Sequence, residues 1–486
     1  MRRFLLHFSL VAVAALLGAS TLSNAQIRLS HLMGDDMILQ QNSNVNLWGW
    51  ASPGKTLKVT TSWDGKTYSV TPGKDGAFKI GVPTPKGSYI PYTIDFVQGK
   101  DKITLKDVLV GEVWLATGQS NMEMPVRGFG NCPVEGLQET LLEAKNYPGI
   151  HICRVQSKTS MVPLEDADCQ WKKGTAENVQ WSSATAYYFA RVLNSVLDIP
   201  VGIVEAHKGG TRVESWLTKE NLEKYTDEEL TEEAINKRFP MDYHRSMVWG
   251  NATFHPTINY TVKGIIFYQG CSNVGNPGDM YSDRLAILAS QWREQKGEGD
   301  IPFYIVEIAP FADYGGEMGI SGALLREQQY KASKKIPNSG IITTNDCVYP
   351  FEKHQIHPRQ KRKVGERLAF LALNKTYSIT TFGGLCPEFK AMEKGDGFLT
   401  VTFENMNDGF ARTEGLEGFE VAGEDRVFHP ATAVEAPGRW QALRVSSPEV
   451  PEPVAVRYCF RNWLIGNCAN ALGFPLLPFR SDNWDN

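Results

Sequence analysis

The sequence predicts an α/β fold, in which a parallel sheet with helices on both faces lies between two β-sandwich-like modules. Residues 108–116 form an almost unbroken apolar run, typical of a strand buried on both faces. From residue 107 to about 373, further apolar strands alternate with segments of helical period. On either side, short strands of alternating polarity are separated by turn residues. We therefore expect three domains, at residues 26–106, 107–373 and 374–486.

The first 25 residues have the features of a secretory signal peptide. Arg2 and Arg3 give a positive start, residues 4–17 are apolar, and Ser23-Asn24-Ala25 forms a small-residue cleavage site. We expect cleavage after Ala25 and a periplasmic or secreted protein; the alternative, an apolar N-terminal core helix, is disfavoured. No later stretch approaches the ~20 apolar residues of a membrane span, so no membrane anchor is expected.

Charge and cysteine content narrow the function classes. Loss of Arg2 and Arg3 would change the formal net charge from −4 to −6, which gives no basic surface for nucleic acid. The eight cysteines are scattered and contain no CxxC pair, so a zinc site is not indicated. Cys132–Cys153 and Cys459–Cys468 are candidate disulfides that the sequence alone does not settle.

The two outer modules are predicted to be β-rich. In the first, the candidate strands are residues 45–50, 57–60, 78–80 and 92–97, separated by turns such as Asp64-Gly65 and Asp75-Gly76. In the last, they are residues 398–403, 442–445 and 454–458.

The central region is predicted to alternate strands and helices. Apolar strand candidates lie at residues 201–204, 264–268, 302–308 and 340–344. Apolar residues recur at helical spacing around Phe189, Leu288 and Leu368. Residues 214–243 are polar and locally helical, and we expect a surface insertion there.

Small polar clusters follow the ends of these strands. Gly-Gln-Ser-Asn-Met follows the first strand at residues 118–122, and glycines follow the second at 209 and 210. Open α/β sheets place their ligands at the carboxyl ends of their strands, so Ser120 is a candidate nucleophile. It is not in a G-x-S-x-G elbow, because Met122 stands where the second glycine would be. His357 precedes Pro358, which suits the first turn of a helix, and is a candidate base.

Together these motifs resemble the SGNH (GDSL-like) hydrolases, and in particular the sialate O-acetylesterase family. The most specific matches are the Gly-Gln-Ser-Asn-Met turn and His357-Pro358. Residues 36–40 and 48–51 and the tail at 473–480 are also similar, so the resemblance covers nearly the whole mature chain.

The resemblance implies an SGNH-type catalytic domain and roles for particular residues. Ser120 would be the nucleophile and His357 the base. The oxyanion would rest on the N–H of Ser120, on that of Gly210 in preference to Gly209, and on the side-chain amide of Asn273, with Gln269 as the alternative. The candidate substrate-binding residues are Gln119, Gln269 and Arg212. No cofactor and no metal are expected.

This sequence departs from the family pattern at two positions. Cys271 stands where many relatives have glutamate, and the aspartate usually found two or three residues before the base is replaced by Gln355 or His354. The triad acid is therefore open: Asp346 is the weakly preferred candidate, Glu352 is another, and a Ser–His dyad is the alternative. Cys271 as the nucleophile and a His354–His357 metal pair are both disfavoured.

We therefore expect an exported serine esterase that removes O-acetyl groups from a carbohydrate. The resemblance favours sialic acid carrying a 9-O-acetyl group. Another plant or host glycan, such as acetylated xylan, fits the same chemistry. Two alternative functions of other classes remain open. One is a carbohydrate-binding protein with a decayed esterase site, and the other is a lipid or thioester hydrolase with the same core fold.

Overall fold

We describe a computed structural model of the protein over residues 26–275 and 280–484. The signal peptide predicted at residues 1–25 lies outside the described residues. No helix within the described ranges is long and apolar enough to span a bilayer.

The N-terminal module consists of short strands that lead into one long strand. Its strands are β1 (Arg28–Leu29), β2 (Ile38–Gln40), β3 (Asn44–Trp50), β4 (Leu57–Thr61), β5 (Thr67–Val70), β6 (Ala77–Pro83), β7 (Ser88–Gln98) and β8 (Asp101–Gly118). Strands β1, β3 and β6 form one sheet, and β5, β4, β7 and β8 follow one another in a second.

Strand β8 belongs to two modules at once. Its first part pairs antiparallel with β7, from Asp101 opposite Gln98 onwards. Its last part, from Glu112 to Gly118, lies in the middle of the central sheet. The boundary expected between residues 106 and 107 therefore falls inside a continuous 18-residue strand.

The central sheet is built on β8 by parallel strands. They are β9 (Ile150–Arg154), β11 (Val201–His207), β12 (Gly264–Tyr268), β13 (Phe303–Val306) and β14 (Ser339–Ile342), with β10 (Trp171–Lys173) at the edge. The order is β10-β9-β11-β8-β12-β13-β14, and every pair is parallel except β10 with β9. The predicted fold class is confirmed, with the addition of this antiparallel edge strand.

The helices cover both faces of the sheet. They are α1 (Ser120–Glu123), α2 (Leu137–Glu143), α3 (Ala176–Val179), α4 (Ala184–Leu197), α5 (Lys219–Tyr225), α6 (Glu232–Arg238), α7 (Tyr281–Lys296), α8 (Ser321–Lys335) and α9 (Lys361–Lys375). Trp114 of β8 packs against Phe189 of α4, whereas Phe267 of β12 packs against Trp292 of α7. Trp114 is opposite Gly264, three residues from Phe267, so the two side chains point to opposite faces of the sheet.

The C-terminal module is a pair of sheets around its own apolar core. Its strands are β15 (Glu388–Lys394), β16 (Leu399–Glu404), β17 (Phe419–Ala422), β18 (Phe428–Pro430), β19 (Thr432–Ala436), β20 (Arg439–Ser446), β21 (Ala455–Tyr458) and β22 (Phe479–Arg480). They form the orders β15-β16-β20-β19 and β18-β17-β21-β22. Val401, Leu443 and Val456 are among the buried residues between them.

Candidate active site

Ser120 lies at the carboxyl edge of the central sheet, where three strands end level. Gly118, the last residue of β8, is paired with His207 of β11 and with Tyr268 of β12. Gly118 has φ +135°, and a Cβ on it would lie 2.2 Å from the carbonyl oxygen of Tyr268. Only glycine fits this close approach, and the chain turns directly into α1 with Ser120 as its first residue.

The structure brings Ser120 and His357 together. The His357 Nε2 atom is 2.8 Å from the Ser120 Oγ atom, which is hydrogen-bonding distance for a base and its nucleophile. His357 lies in a loop, because α9 begins only at Lys361. The expectation that Pro358 occupies the first turn of the helix is therefore wrong.

Asn121 ties the histidine loop to the nucleophile turn. Its Nδ2 donates to the carbonyl oxygen of Ile356 at 3.0 Å, and its Oδ1 accepts from the Lys361 Nζ atom at 2.6 Å. Lys361 is fully buried, and this burial lowers the pKa of its ammonium to about 8. This role of Asn121 was not predicted from the sequence, although its position next to Ser120 was a signal.

The second ring nitrogen of His357 has a thiol beside it instead of a carboxylate. The Nδ1 atom lies 4.0 Å from the Cys132 Sγ atom, and the ring packs edge-on against Phe129. Burial lowers the pKa of His357 to about 4; the charge of Lys361 acts in the same direction, and that of Glu123 opposes it. The imidazole is therefore neutral, and able to accept a proton, at neutral pH.

Both carboxylates considered for the triad acid are engaged elsewhere. Asp346 forms two hydrogen bonds with the Arg367 guanidinium, at 2.9 and 2.8 Å. Glu352 accepts from the backbone N–H groups of Tyr349 and Arg359, at 2.9 and 3.1 Å. The structure does not place Asp346 against His357, because its carboxylate neutralises Arg367. Within the described residues, the hydrogen-bonding neighbours of the His357 ring nitrogens are Ser120 and Cys132, and no carboxylate is bonded to the ring.

Two backbone N–H groups are available for an oxyanion near Ser120. The N–H of Ser120 opens α1 and has no partner inside the helix. The N–H of Gly210 donates to no other described group, whereas that of Gly209 donates to Glu123 Oε2 at 2.6 Å. Gly210 has φ +79°, and a Cβ there would lie 2.5 Å from the ring of Tyr243.

Asn273 lies close to this loop but is already engaged in several hydrogen bonds. Its Oδ1 accepts from the Val213 N–H and from Gln269, each at 2.9 Å. Its Nδ2 donates to Glu214 at 3.0 Å, and Glu214 also forms an ion pair with Arg284. Glu214 is fully buried, so the polar segment expected at the surface begins inside the protein.

The three side chains considered for substrate binding are buried and bound to protein groups. Gln119 Oε1 accepts from the Gly270 N–H at 2.8 Å, and Gln269 Nε2 donates to the Thr211 carbonyl at 3.0 Å. Arg212 donates to Ser246 at 3.0 Å and packs over Phe239. Gln119, Gln269 and Arg212 therefore help to hold the loops of the site in place.

Cys271 is half-buried near Ser120 and His357, and its Sγ atom is 3.9 Å from the Asn121 Nδ2 atom. Burial raises the pKa of the Cys271 thiol, which keeps it protonated and weakly nucleophilic. All eight cysteines are free thiols, including the two pairs considered as disulfides.

Comparisons with known proteins show similarity to carbohydrate esterases. A family model described as carbohydrate esterase, sialic acid-specific acetylesterase, matches residues 110–374. The sialate O-acetylesterase of Homo sapiens is 30% identical over 417 residues, which cover 77% of this chain and 76% of the relative. That of Mus musculus is 28% identical over 433 residues, covering 78% and 79%. The crystal structure of a carbohydrate acetylesterase from Xanthomonas citri is 30% identical, covers 94% of this chain and 100% of its own, and superposes with a TM-score of 0.82.

Proposed function

Because the chain belongs to the sialic acid-specific acetylesterase family of carbohydrate esterases, we propose that Ser120 and His357 are its catalytic residues. The chain is a carboxylic ester hydrolase that acts on O-acetylated carbohydrates, as the sequence resemblance implied. The observation that supports the residue assignment is the 2.8 Å contact between His357 Nε2 and Ser120 Oγ.

The reaction follows from the groups around Ser120. His357 takes the hydroxyl proton as the Ser120 Oγ atom attacks the acetyl carbonyl carbon. The N–H groups of Ser120 and Gly210 receive the developing oxyanion, with the Asn273 amide as the third proposed donor. His357 then gives the proton to the leaving sugar oxygen, and a water activated by the same imidazole hydrolyses the acetyl-enzyme. No cofactor takes part in these steps.

Because no carboxylate contacts His357, other groups must orient its imidazole. In a serine triad, the acid orients the imidazole and stabilises its charged form. Here the loop contacts of Asn121 and Gln355 hold the histidine backbone; the Gln355 Oε1 atom accepts the His357 N–H at 3.2 Å. The low pKa of His357 keeps the base unprotonated at neutral pH, but it also makes the imidazole a weaker proton acceptor.

The substrate that we propose is sialic acid carrying a 9-O-acetyl group, because the named relatives are sialate O-acetylesterases. Acetylated xylan or another acetylated glycan is the alternative. Export to the periplasm or the medium is also part of the proposal; it rests on the sequence of residues 1–25.

Acetate release tests the assignment. The wild type and Ser120→Ala are compared on 4-nitrophenyl acetate and on 9-O-acetylated sialic acid. Ser290→Ala, on the exposed side of α7, is the matched control. We expect Ser120→Ala to lower kcat by more than about 10³-fold, with Ser290→Ala unchanged. Equal activity in Ser120→Ala would reject the nucleophile, and a wild type inactive on both esters would favour the binding-protein alternative.

A further inference from the structure

A cavity of about 550 Å³, lined by both polar and apolar residues, opens at the ends of β9 and β10. Its volume is within the range of small-molecule sites. Among the residues that line it are Arg154, Gln156, Asp168, Lys172, Asn178 and Trp181. None of these side chains has a role in the reaction proposed above.

The cavity lies at the same edge of the sheet as Ser120. Arg154 is the last residue of β9, which runs parallel to β11, the neighbour of β8. The Arg154 Nη2 atom is 3.5 Å from Glu123 Oε1, and Glu123 belongs to the same helical turn as Ser120. A Cβ on Gly209 would lie 2.9 Å from Glu123 Oε2 and 3.3 Å from the Cβ of Ser120. Glu123 therefore contacts both Arg154 of the cavity lining and the Gly209 N–H beside Ser120.

The charges around the cavity favour an anionic ligand. Lys172 is exposed on the edge strand β10 and forms no ion pair with another described residue. Asp168, the acidic residue of the lining, is paired with Lys158. Arg127 adds a further cation near Trp181, with its guanidinium carbon 4.3 Å from the ring centroid.

The cavity also offers an exposed aromatic ring. Trp181 is 51% exposed, although its backbone is fixed by a 2.9 Å hydrogen bond from Arg154 to its carbonyl oxygen. A large aromatic ring beside polar and cationic groups is suited to a ligand with one apolar face and several hydroxyl groups. A sugar ring that carries a carboxylate has both properties.

We propose that this cavity is a second sugar subsite, which binds a carboxylate-bearing sugar unit of the substrate while the acetyl ester lies at Ser120. The carboxylate contacts Lys172 and Arg154, and the sugar ring packs on Trp181. This inference rests on the function proposed for Ser120 and His357. It adds a site that recognises a part of the substrate other than the acetyl ester. Nonulosonic acids and hexuronic acids share the required chemistry.

Substrate pairs that differ only in the carboxylate test the subsite. One pair is an O-acetylated sialic acid glycoside and its carboxamide, and the other is an O-acetylated glucuronoside and its carboxamide. The variants are Lys172→Gln and Trp181→Ala. Lys145→Gln, an exposed lysine of the same domain, and Trp440→Ala, also 51% exposed but in the C-terminal module, are the matched controls.

We expect the wild type to have a lower KM for the acid than for the amide in at least one pair. Lys172→Gln should reduce this preference by about two- to fivefold, and added salt should weaken it in the wild type. Trp181→Ala should raise KM for both members of that pair by about tenfold. The two controls should change neither quantity, and the preferred pair identifies which class of acid is bound.

The proposal is overturned if the wild type treats acid and amide alike, or if Lys172→Gln acts no more strongly than Lys145→Gln. If Trp181→Ala raised KM no more than Trp440→Ala did, the proposal that the sugar ring packs on Trp181 would be rejected. Loss of 4-nitrophenyl acetate hydrolysis in Ser120→Ala confirms the esterase site independently. A failure of the subsite is therefore distinguishable from a failure of the catalytic assignment.

Discussion

The Nδ1 atom of His357 faces the thiol of Cys132 at 4.0 Å, in the position where a serine triad has its carboxylate. A thiol at this distance is a weak hydrogen-bonding partner and carries no charge, because burial raises the pKa of Cys132. The contact therefore gives the imidazole little electrostatic support.

Substitution of Cys132 should consequently have a small effect on the reaction. We expect Cys132→Ala to lower kcat for 4-nitrophenyl acetate by less than about tenfold, whereas spoiling the acid of a serine triad costs about 10⁴-fold. Steady-state kinetics with a thermal melt as a folding control measure this. A loss of 10³-fold or more in a folded variant would mean that the thiol orients the base after all.

The kcat/KM of the enzyme should begin to fall only at unusually acidic pH. The neutral imidazole is the active base, so kcat/KM should be retained from neutral pH downward and fall as His357 protonates at about pH 4. In Lys361→Met, the loss of a nearby positive charge should move this fall to higher pH. Burial, the larger cause, remains, so the fall should stay below pH 6.5. Lys363→Met, on the same helix but exposed, is the control. If the acidic fall of kcat/KM stayed at the same pH in Lys361→Met, the charge of Lys361 would not contribute to the low pKa of His357.

Asp346 should support stability and not catalysis. Asp346→Asn removes the charge partner of Arg367, which is largely buried, and we expect a loss of about 2 kcal/mol in the free energy of unfolding. The kcat per folded molecule should change by less than about threefold, since the carboxylate does not contact His357. Denaturant melts and active-site titration separate the two effects. A stable but inactive variant would restore Asp346 as the triad acid.

Gly210 should be intolerant of any side chain. In Gly210→Ala, the new Cβ meets the Tyr243 ring and the backbone is strained at φ +79°, so the N–H should shift away from the oxyanion position. We expect kcat to fall by about 10²-fold with little change in KM. Gly54→Ala is a fair comparison, because Gly54 also has a positive φ, of +69°, with open space around it. Equal kinetic effects in the two variants would argue against an oxyanion role.

Much of the fold could be predicted because its strands are buried and apolar. The run at residues 108–116 needs two covered faces, and the parallel sheet supplies them. The helical apolar patterns around Phe189 and Leu368 correspond to α4 and α9. The antiparallel β10 was not foreseen, because Trp171–Lys173 is too short and polar to give a strand pattern.

The site was predicted less completely, for a different physical reason. Ser120 and His357 belong to short motifs, but the neighbours of the imidazole come from distant parts of the chain. Cys132 is 225 positions away from His357 in sequence, and no periodicity connects them. Gln119, Gln269 and Arg212 have the polarity expected of ligand contacts. However, buried loops also need polar side chains to satisfy their backbone groups, and the sequence does not distinguish the two uses.

Strand β8 has a consequence for how this protein can be shortened or recombined. Residues 101–118 carry hydrogen bonds of the N-terminal module at one end and hold the turn of Ser120 at the other. A breakpoint between residues 106 and 107 would cut β8 within its pairing with β7. The part of β8 that follows would then lose that partner and expose unpaired backbone N–H and C=O groups. The N-terminal module therefore cannot be exchanged independently of the catalytic domain. In evolution and in engineering alike, it has to be retained together with the strand that leads to Ser120.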